Sequence, residues 1–270
     1  VASGTIMLDH YLAMSPGVDD EEIEGIETTE PAFGLPALWI NEEMKEKADL
    51  AGYTVVDPPS VISTHLTEVI KQYAYELLGR EETKQLVDHL KETHPTTVEE
   101  VTPEHLSYGD IQKVLSKLLK ERVAIRNLPV IFETLGDFAR MTKDTELLTE
   151  YVRQSLSRQI TNQYVSEDGV IKVLTLGGSV EKAIADSIKQ TEHGHYLAMD
   201  PVESEQIFLS IKNEIERIAW ENEVIILCSP AVRMYVKQLI ERYMPDVVVL
   251  SYNELEPNVE VQSVGVVNVA

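Results

Sequence analysis

Short apolar runs alternate with polar turns in the first part of the chain. Residues 1–7 are typical of a strand already under way and lack an initiator Met, so we expect the chain to be a fragment. Three more strand-like runs lie around residues 23–28, 37–40 and 54–56. Asn41, which follows the second of these runs, is a good helix cap. The pattern predicts a small α/β unit.

A single helical stripe follows this unit. After a proline pair, Ser60 is suited to cap a helix, and Gly79 is suited to end it. The apolar positions between them recur every three or four residues, as one face of a helix requires. They are Ile62, Leu66, Val69, Ile70, Tyr73, Ala74 and Leu77. The sequence therefore predicts one long helix, with the small α/β unit laid against its start.

The apolar spacing is almost wholly helical between residues 81 and 160. It predicts four helices, with a strand-like interruption at residues 123–125, and these helices span residues 81–92, 108–121, 128–141 and 144–159. Two helices followed by a strand would also suit a winged helix. A helix that reads DNA needs basic residues, however, and residues 132–137 supply acids instead. We predict a helical domain with a small sheet element.

Strands and helices alternate from residue 161 to the end. Strands are predicted at residues 170–176, 224–227, 247–250 and 259–269, helices at 179–190, 202–220 and 231–243, and a loop at 191–200. Continuous apolar strands of this kind are typical of parallel sheets buried on both faces, with the last strand at an edge. The fold class predicted is α/β and α+β multidomain: a small α/β unit, a mostly helical middle domain and a C-terminal α/β domain with parallel strands.

The charge balance excludes some partners. The chain has 46 acidic and 23 basic residues, a formal net charge of −23, and no local basic patch of the kind that nucleic acid or an anionic membrane surface requires. An acidic run at residues 19–24 is either a solvated loop or a contact for a basic partner. No apolar run approaches the roughly 20 residues of a membrane helix, so we expect this piece to be soluble.

Few residues suggest chemistry. Cys228 is alone and lies in an apolar strand, which favours a buried structural thiol in a reducing cytoplasmic setting. His193 and His195 make a weak metal site without a third ligand, and an exposed loop is the simpler interpretation. Gly177 and Gly178 could cradle an anion, although Ser179 is better explained as a helix cap. We expect no catalytic residue, metal or cofactor; the alternative is an α/β enzyme that binds a nucleotide or small anion at these glycines.

Pro31 and Pro36 bracket a short segment that carries Phe33. Such a stiff, extended loop could present an aromatic side chain, and large apolar groups on rigid loops form the hot spots of protein interfaces. The alternative is that Phe33 anchors the core of the small α/β unit. Both interpretations are open at the level of the sequence.

Several ordered, non-repetitive strings of the sequence agree with one family of proteins. The first is Glu-Pro-Ala-Phe-Gly-Leu-Pro-Ala-Leu-Trp-Ile at residues 30–40. The others lie at residues 52–57, 63–66, 75–80, 114–119, 123–127, 131–135 and 249–255. Through these strings the sequence resembles the cytoplasmic region of the export-gate proteins of type III secretion, the FlhA/InvA family, and its flagellar members most.

The resemblance implies a docking platform rather than an enzyme. Family members bind export chaperones with their cargo, contact the ATPase complex and a partner gate protein, and assemble into a nine-membered ring below the export pore. An N-terminal half, implied to be missing here, anchors them in the membrane. The resemblance therefore implies the cytoplasmic domain of a bacterial inner (plasma) membrane protein in flagellar protein secretion.

The resemblance also divides the chain. Residues 1–8 and 58–77 would be the remnant of the family's first subdomain, with the long helix. Residues 9–57 would form the second, small α/β subdomain, residues 78–157 the helical third and residues 158–270 the α/β fourth. Ring contacts would fall mainly on the third.

The family's chaperone site is a hydrophobic dimple between the first two subdomains. Its residues match Glu30, Phe33, Val56, Val61 and Thr64 in this sequence. Glu30 stands where Asp is common, which keeps the charge but lengthens the side chain. Because most of the first subdomain would be missing, one wall of the dimple would be incomplete.

Overall fold

The computed structural model describes residues 4–17, 22–219 and 223–269. The chain forms two compact units, residues 1–77 and residues 78–270. The first unit contains strands β1 (Tyr11–Met14), β2 (Ile26–Thr29), β3 (Pro36–Ile40) and β4 (Thr54–Val56) and helices α1 (Glu42–Leu50) and α2 (Pro58–Leu77). The four-subdomain division stays a prediction.

The sheet of the first unit is antiparallel, with strand order β2-β3-β1-β4. Successive side chains of a strand point to opposite faces, and both faces are covered. Leu12 and Trp39 lie in one core cluster with Ala37 and Val61, whereas Ala13 and Ile40 lie in another. The predicted small α/β unit and its contact with the start of the long helix are confirmed.

The ends of the helices partly follow the sequence. The Asn41 side chain accepts the N–H of Met44 at 3.0 Å, which confirms it as the cap of α1. The long helix begins at Pro58, however, not after Ser60, because proline needs no N–H partner in a first turn. Asp57 accepts the Ser60 N–H at 3.3 Å instead. Gly79 does not end α2 but stands at the N-cap of the next helix.

The start of the chain differs from the prediction. Residues 4–10 form turns and irregular backbone rather than a strand, and the first strand begins only at Tyr11. Residues 1–3 and residues 19–21 of the acidic run lie outside the described residues. Of the rest of that run, Ile23 is buried in the core, while Glu22 and Glu24 are exposed.

The second unit continues with helices, then alternates strands and helices. It contains α3 (Arg80–Thr93), α4 (Pro95–Glu99), α5 (Tyr108–Lys120), α6 (Leu128–Phe138), α7 (Thr145–Ser155), α8 (Ser157–Tyr164), β5 (Val170–Leu176), α9 (Gly178–Asp186), β6 (Ile188–Thr191), β7 (Gly194–Leu197), α10 (Pro201–Ile218), β8 (Ile225–Cys228), α11 (Arg233–Ile240), β9 (Val248–Ser251), a 3-10 helix (Tyr252–Glu254) and β10 (Glu260–Val267). The main sheet is parallel, with order β10-β5-β8-β9. The predicted edge position of the last strand is confirmed.

This parallel sheet is covered on both faces, as predicted. Ile225 and Leu227 of β8 pack into a core formed with the helices α3 to α8, whereas Ile226 and Cys228 pack against α9, α10 and α11. Burial raises the pKa of the Cys228 thiol. Cys228 is therefore a buried thiol, and the predicted fold class is confirmed.

Four local predictions in the second unit are wrong. Residues 123–125 form no strand, because the Val123 N–H donates to Leu118 O at 2.9 Å and so closes the end of α5. Among the described residues 78–164 there is no sheet element and hence no wing. The helix predicted over residues 144–159 is two helices that meet at Leu156. The helix predicted over residues 179–190 ends at Asp186, because residues 188–190 belong to β6. The predicted loop at residues 191–200 instead contributes to the hairpin of β6 and β7.

A cluster of buried charges joins the helical part of the second unit to its α/β part. Arg233 donates to Glu150 at 2.8 and 2.6 Å and to Glu121 at 2.8 and 3.0 Å. Arg153 donates to Glu254 through two bonds of 2.9 Å. Burial would raise the pKa of the Glu121 carboxyl, but the charges of Arg233 and Arg153 outweigh it and lower that pKa to about 2.

Arg233 and a second cation, Lys237, bind one edge of the parallel sheet. Backbone groups alternate direction along a strand, and Val248 N–H faces β8, so the carbonyls of Val247 and Val249 face away from it. Lys237 donates to Val247 O at 2.8 Å and to Pro245 O at 3.0 Å, and Arg233 donates to Val249 O at 3.0 Å. The outer edge of β9 is therefore occupied by side chains.

Candidate docking site

The turn between β2 and β3 carries the predicted aromatic anchor. Two backbone hydrogen bonds close it: Glu30 N–H donates to Leu35 O at 2.8 Å, and Gly34 N–H donates to Glu30 O at 2.9 Å. Gly34 has a φ of +71°, a left-handed conformation that glycine adopts without strain. Together with Pro31 and Pro36, these features make the segment a closed turn.

The Glu30 side chain folds into this turn. It is 4% exposed, and its two oxygens accept the N–H groups of Ala32 at 2.8 Å and of Phe33 at 2.7 Å. Pro31 has no N–H to satisfy. Every backbone N–H from Glu30 to Gly34 therefore has an acceptor inside the turn.

The Phe33 side chain is exposed to solvent. Its exposed fraction is 62%, and that of Leu35 in the same turn is 49%. The core of this unit is built from other residues, Leu12 and Trp39 among them. The interpretation of Phe33 as a core anchor is therefore wrong, and the turn presents two large apolar side chains.

The other predicted site residues occupy different environments. Val61 is 2% exposed and lies in the cluster of Leu12 and Trp39, and Val56 is partly buried against that cluster. Thr64 is exposed on α2, one turn after Val61. The structure thus brings Val56 and Val61 together, and Val61 offers almost no surface for a partner to touch.

Sequence reasoning did not identify a concavity beside Val56. Its volume is about 440 Å³, and it is lined by Tyr11, Lys45, Val55, Val56, Asp57 and Ser60. Lys45 Nζ lies 4.5 Å from the centre of the Tyr11 ring. These residues come from β1, α1, β4 and α2 and from the connection at Asp57, so only the packing of these four elements could have revealed the grouping.

One face of α2 is apolar and exposed. The described part of the unit buries only Pro58 and Val61 of this helix. Five large side chains that recur every three or four residues are between 42% and 64% exposed: Ile62, Leu66, Ile70, Tyr73 and Leu77. The predicted stripe is thus a surface of this chain and not part of its core.

Of the two glycines after β5, Gly177 is required by close packing. Gly177 N–H donates to Val267 O at 2.8 Å, and a Cβ on Gly177 would overlap the Asn268 side chain. Ser179 does not cap α9, because that helix begins at Gly178 with Gly177 at the N-cap. The carboxylate of Glu181 accepts the Ser229 N–H at 3.0 Å and adds a negative charge to the first turn. This arrangement disfavours an anion cradle.

The two histidines lie in the hairpin of β6 and β7. His193 is exposed, whereas His195 is partly buried, with its Nδ1 3.3 Å from an oxygen of Asp144. Asp144 also accepts the Glu146 N–H at 2.9 Å and thereby caps α7. Within the described ranges, no three His, Cys, Asp or Glu residues are grouped as a metal site would need. Nor does any described helix combine the length and apolar character needed to cross a membrane.

The sequence of the chain matches a known family almost from end to end. The model of the FHIPEP family matches residues 1–260. The chain belongs to the FHIPEP family. This FHIPEP chain is 64% identical over all its 270 residues to the flagellar biosynthesis protein FlhA of Bacillus subtilis (strain 168), and 40% identical to FlhA of Borreliella burgdorferi. It spans 40% and 38% of the lengths of those two proteins.

Solved structures agree with this assignment. The CdsV protein of Chlamydia pneumoniae superposes with a TM-score of 0.88 at 32% identity, over 98% of this FHIPEP chain and 77% of that one. CdsV in complex with CdsO gives 0.83 at 30% identity, over 98% and 77%. A cryo-EM structure of nonameric EPEC SctV-C gives 0.76 at 30% identity, over 98% and 79%. The resemblance to the type III export-gate family is confirmed.

Proposed function

We propose that this chain is part of the cytoplasmic docking platform of a flagellar type III protein export gate, where it binds export chaperones loaded with their cargo. Membership of the FHIPEP family and the 64% identity to a flagellar biosynthesis protein support the setting. The observation that supports the binding role most directly is the 62% exposure of Phe33 on a closed turn. The partner binds without any bond being made or broken, so the chain is not an enzyme.

Burial of the turn against a partner supplies the affinity. A Phe side chain covers roughly 200 Å², so the 62% that is exposed corresponds to roughly 120 Å². At about 25 cal/mol per Å², covering it contributes about 3 kcal/mol. An apolar helix face of a chaperone is a suitable counterpart, because such faces bind exposed apolar anchors in several recognition modes. In the proposed site, Phe33, Val56 and Thr64 offer surface to the partner, whereas Glu30 and Val61 are buried and support the site from within.

The exposed face of α2 supports the subdomain division. This sequence covers 77% and 79% of two solved relatives, so roughly a fifth of each of those chains has no counterpart here. We assign residues 58–77, with residues 1–8, to an incomplete first subdomain, and residues 9–57, 78–157 and 158–270 to the other three. The remainder of the first subdomain covers the Ile62 to Leu77 stripe and completes one wall of the dimple.

The platform also binds copies of itself and other export components. The nonameric assembly of EPEC SctV-C supports self-association into a nine-membered ring, mainly through residues 78–157. The CdsV and CdsO complex supports contacts with other export apparatus proteins, among which we place the ATPase complex and the partner gate protein. The platform lies on the cytoplasmic side of the bacterial inner membrane, held by an N-terminal half outside this sequence.

Calorimetric titration tests this proposal. The protein, extended upstream to complete the first subdomain, is titrated with a Bacillus subtilis flagellar export chaperone bound to its cargo. We expect Phe33→Ala to weaken binding about 100-fold or more, as the roughly 3 kcal/mol above implies, and Leu50→Ala to leave it unchanged. Leu50 is a matched control because it is 84% exposed on α1 of the same unit.

Two outcomes would contradict the proposal. Equal binding by Phe33→Ala and the unchanged protein would move the docking site away from this turn. Absence of binding to any flagellar chaperone would refute the docking role itself.

A further inference from the structure

Glu30 is a buried carboxylate with no cation beside it among the described residues. Among the residues that the structure describes, three carboxylates are buried: Glu30, Glu150 and Glu254. Glu150 and Glu254 bind arginines at 2.6 and 2.9 Å. No described Lys, Arg or His lies within ion-pair distance of Glu30, although burying an unpaired charge is costly. Among the described residues, the Glu30 side chain accepts hydrogen bonds only from two backbone N–H groups.

These two bonds define what the side chain does. Both Glu30 oxygens are taken up, by Ala32 N–H and by Phe33 N–H. With 4% of its surface exposed, Glu30 has almost nothing left for a partner to contact. Bonds from a charged acceptor to N–H groups are roughly twice as strong as neutral ones. The Glu30 carboxylate therefore fixes the backbone of Phe33, whose side chain is exposed on the turn.

We infer that Glu30 is a positioning residue, which fixes the turn that presents Phe33 and does not itself contact the docked partner. The inference rests on the proposed docking function and deepens it. A turn that is already ordered in the free protein spares the complex the entropy cost of ordering it on binding. Loss of the carboxylate weakens docking only through Phe33.

The first test is a double-mutant cycle in the titration described above. Glu30→Gln has the same shape but one acceptor oxygen, since its NH2 group faces an N–H donor. We expect it to weaken binding roughly 3- to 10-fold. Glu30→Asp should bind within about threefold of the unchanged protein, because aspartate side chains commonly accept N–H groups two and three residues on. Glu30→Gln should have no effect once Phe33→Ala is present.

The second test needs no partner. Hydrogen exchange of the Ala32 and Phe33 amides is measured in the free protein. We expect exchange of both amides to be at least about tenfold faster in Glu30→Gln, whereas Glu30→Asp stays protected. Phe33→Ala should leave the Ala32 amide protected. Thermal unfolding of each variant separates an opened turn from a lost fold, and Glu30→Asp serves as the folded variant if Glu30→Gln does not fold.

The outcomes separate the two ideas. An additive double mutant, in which Glu30→Gln weakens binding further after Phe33→Ala, would show direct contact and overturn the inference. So would unchanged exchange at Ala32 and Phe33 in Glu30→Gln. If the unchanged protein binds no chaperone, the docking function fails, while the exchange rates still decide whether Glu30 orders the turn.

Discussion

The buried guanidinium of Arg233 should stabilise the second unit strongly. It is 1% exposed and donates to both oxygens of Glu150, to both oxygens of Glu121 and to Val249 O. Arg233→Ala removes all five bonds and leaves carboxylates without their nearest cation. Breaking a buried ion pair by removing one partner typically costs about 3–5 kcal/mol. We expect a loss of this size in the free energy of unfolding.

A lysine variant separates charge from geometry. Arg233→Lys keeps the positive charge but cannot form the two-pronged bonds to carboxylates that a guanidinium forms. It should therefore fall between the unchanged protein and Arg233→Ala. Arg140→Ala is the matched control, because Arg140 is exposed just after α6 in the same unit. We expect that control to stay within about 0.5 kcal/mol of the unchanged protein.

Urea unfolding followed by circular dichroism measures these differences. Thermal unfolding is a second measurement: for a unit of this size each 1 kcal/mol corresponds to about 2–4 °C in Tm, so Arg233→Ala should lower the Tm by roughly 6–20 °C. A loss within about 1 kcal/mol of the Arg140→Ala control would refute the reasoning. It would mean that the cluster gains no more from its pairing than its burial costs.

Two further predictions concern the second unit. The folded pKa of Glu121, at about 2, lies below its ordinary value of 4.5. Its contribution to stability is therefore fully present above about pH 4.5 and is lost as the pH falls toward 2. Urea unfolding between pH 6 and pH 2 should show a shallower decline in the free energy of unfolding for Glu121→Gln than for the unchanged protein, and equal slopes would contradict this. Gly177→Ala should destabilise the unit by about 1–3 kcal/mol, because the new Cβ meets Val267 O and the Asn268 side chain. The control Gly178→Ala adds a Cβ in open space, so equal thermal unfolding of the two variants would show that the close packing is unimportant.

The apolar pattern was sufficient to predict a strand where every residue of that strand is buried. All four residues of β8 are buried, and their apolar run predicted the strand within one residue. The hairpin of β6 and β7 gave no such signal, since its exposed residues include Lys189, Gln190 and Tyr196. A strand that buries little leaves no pattern of alternation to read.

Long-range polar contacts were beyond sequence reasoning. Arg153 and Glu254 are 101 residues apart in the chain. The sequence of a helix does not show whether an arginine in it is buried or exposed. The candidate site shows the same limit: the family resemblance implied Glu30 and Phe33 as site residues, but nothing in the sequence indicated that the Glu30 carboxylate accepts the Phe33 N–H. Local spacing suggests which residues matter, whereas their roles depend on which way each side chain folds.

The cations along β9 prevent the sheet from growing. An edge strand with free carbonyls is a template for an incoming strand, but Val247 O and Val249 O are already bonded to Lys237 and Arg233. At the opposite edge, β10 has an irregular register between Ser263 and Gly265, where Arg217 donates to Val264 O. In the docking role proposed above, the chain would meet loosely folded cargo repeatedly. A sheet blunted at both edges would offer such cargo no free strand edge on which to aggregate.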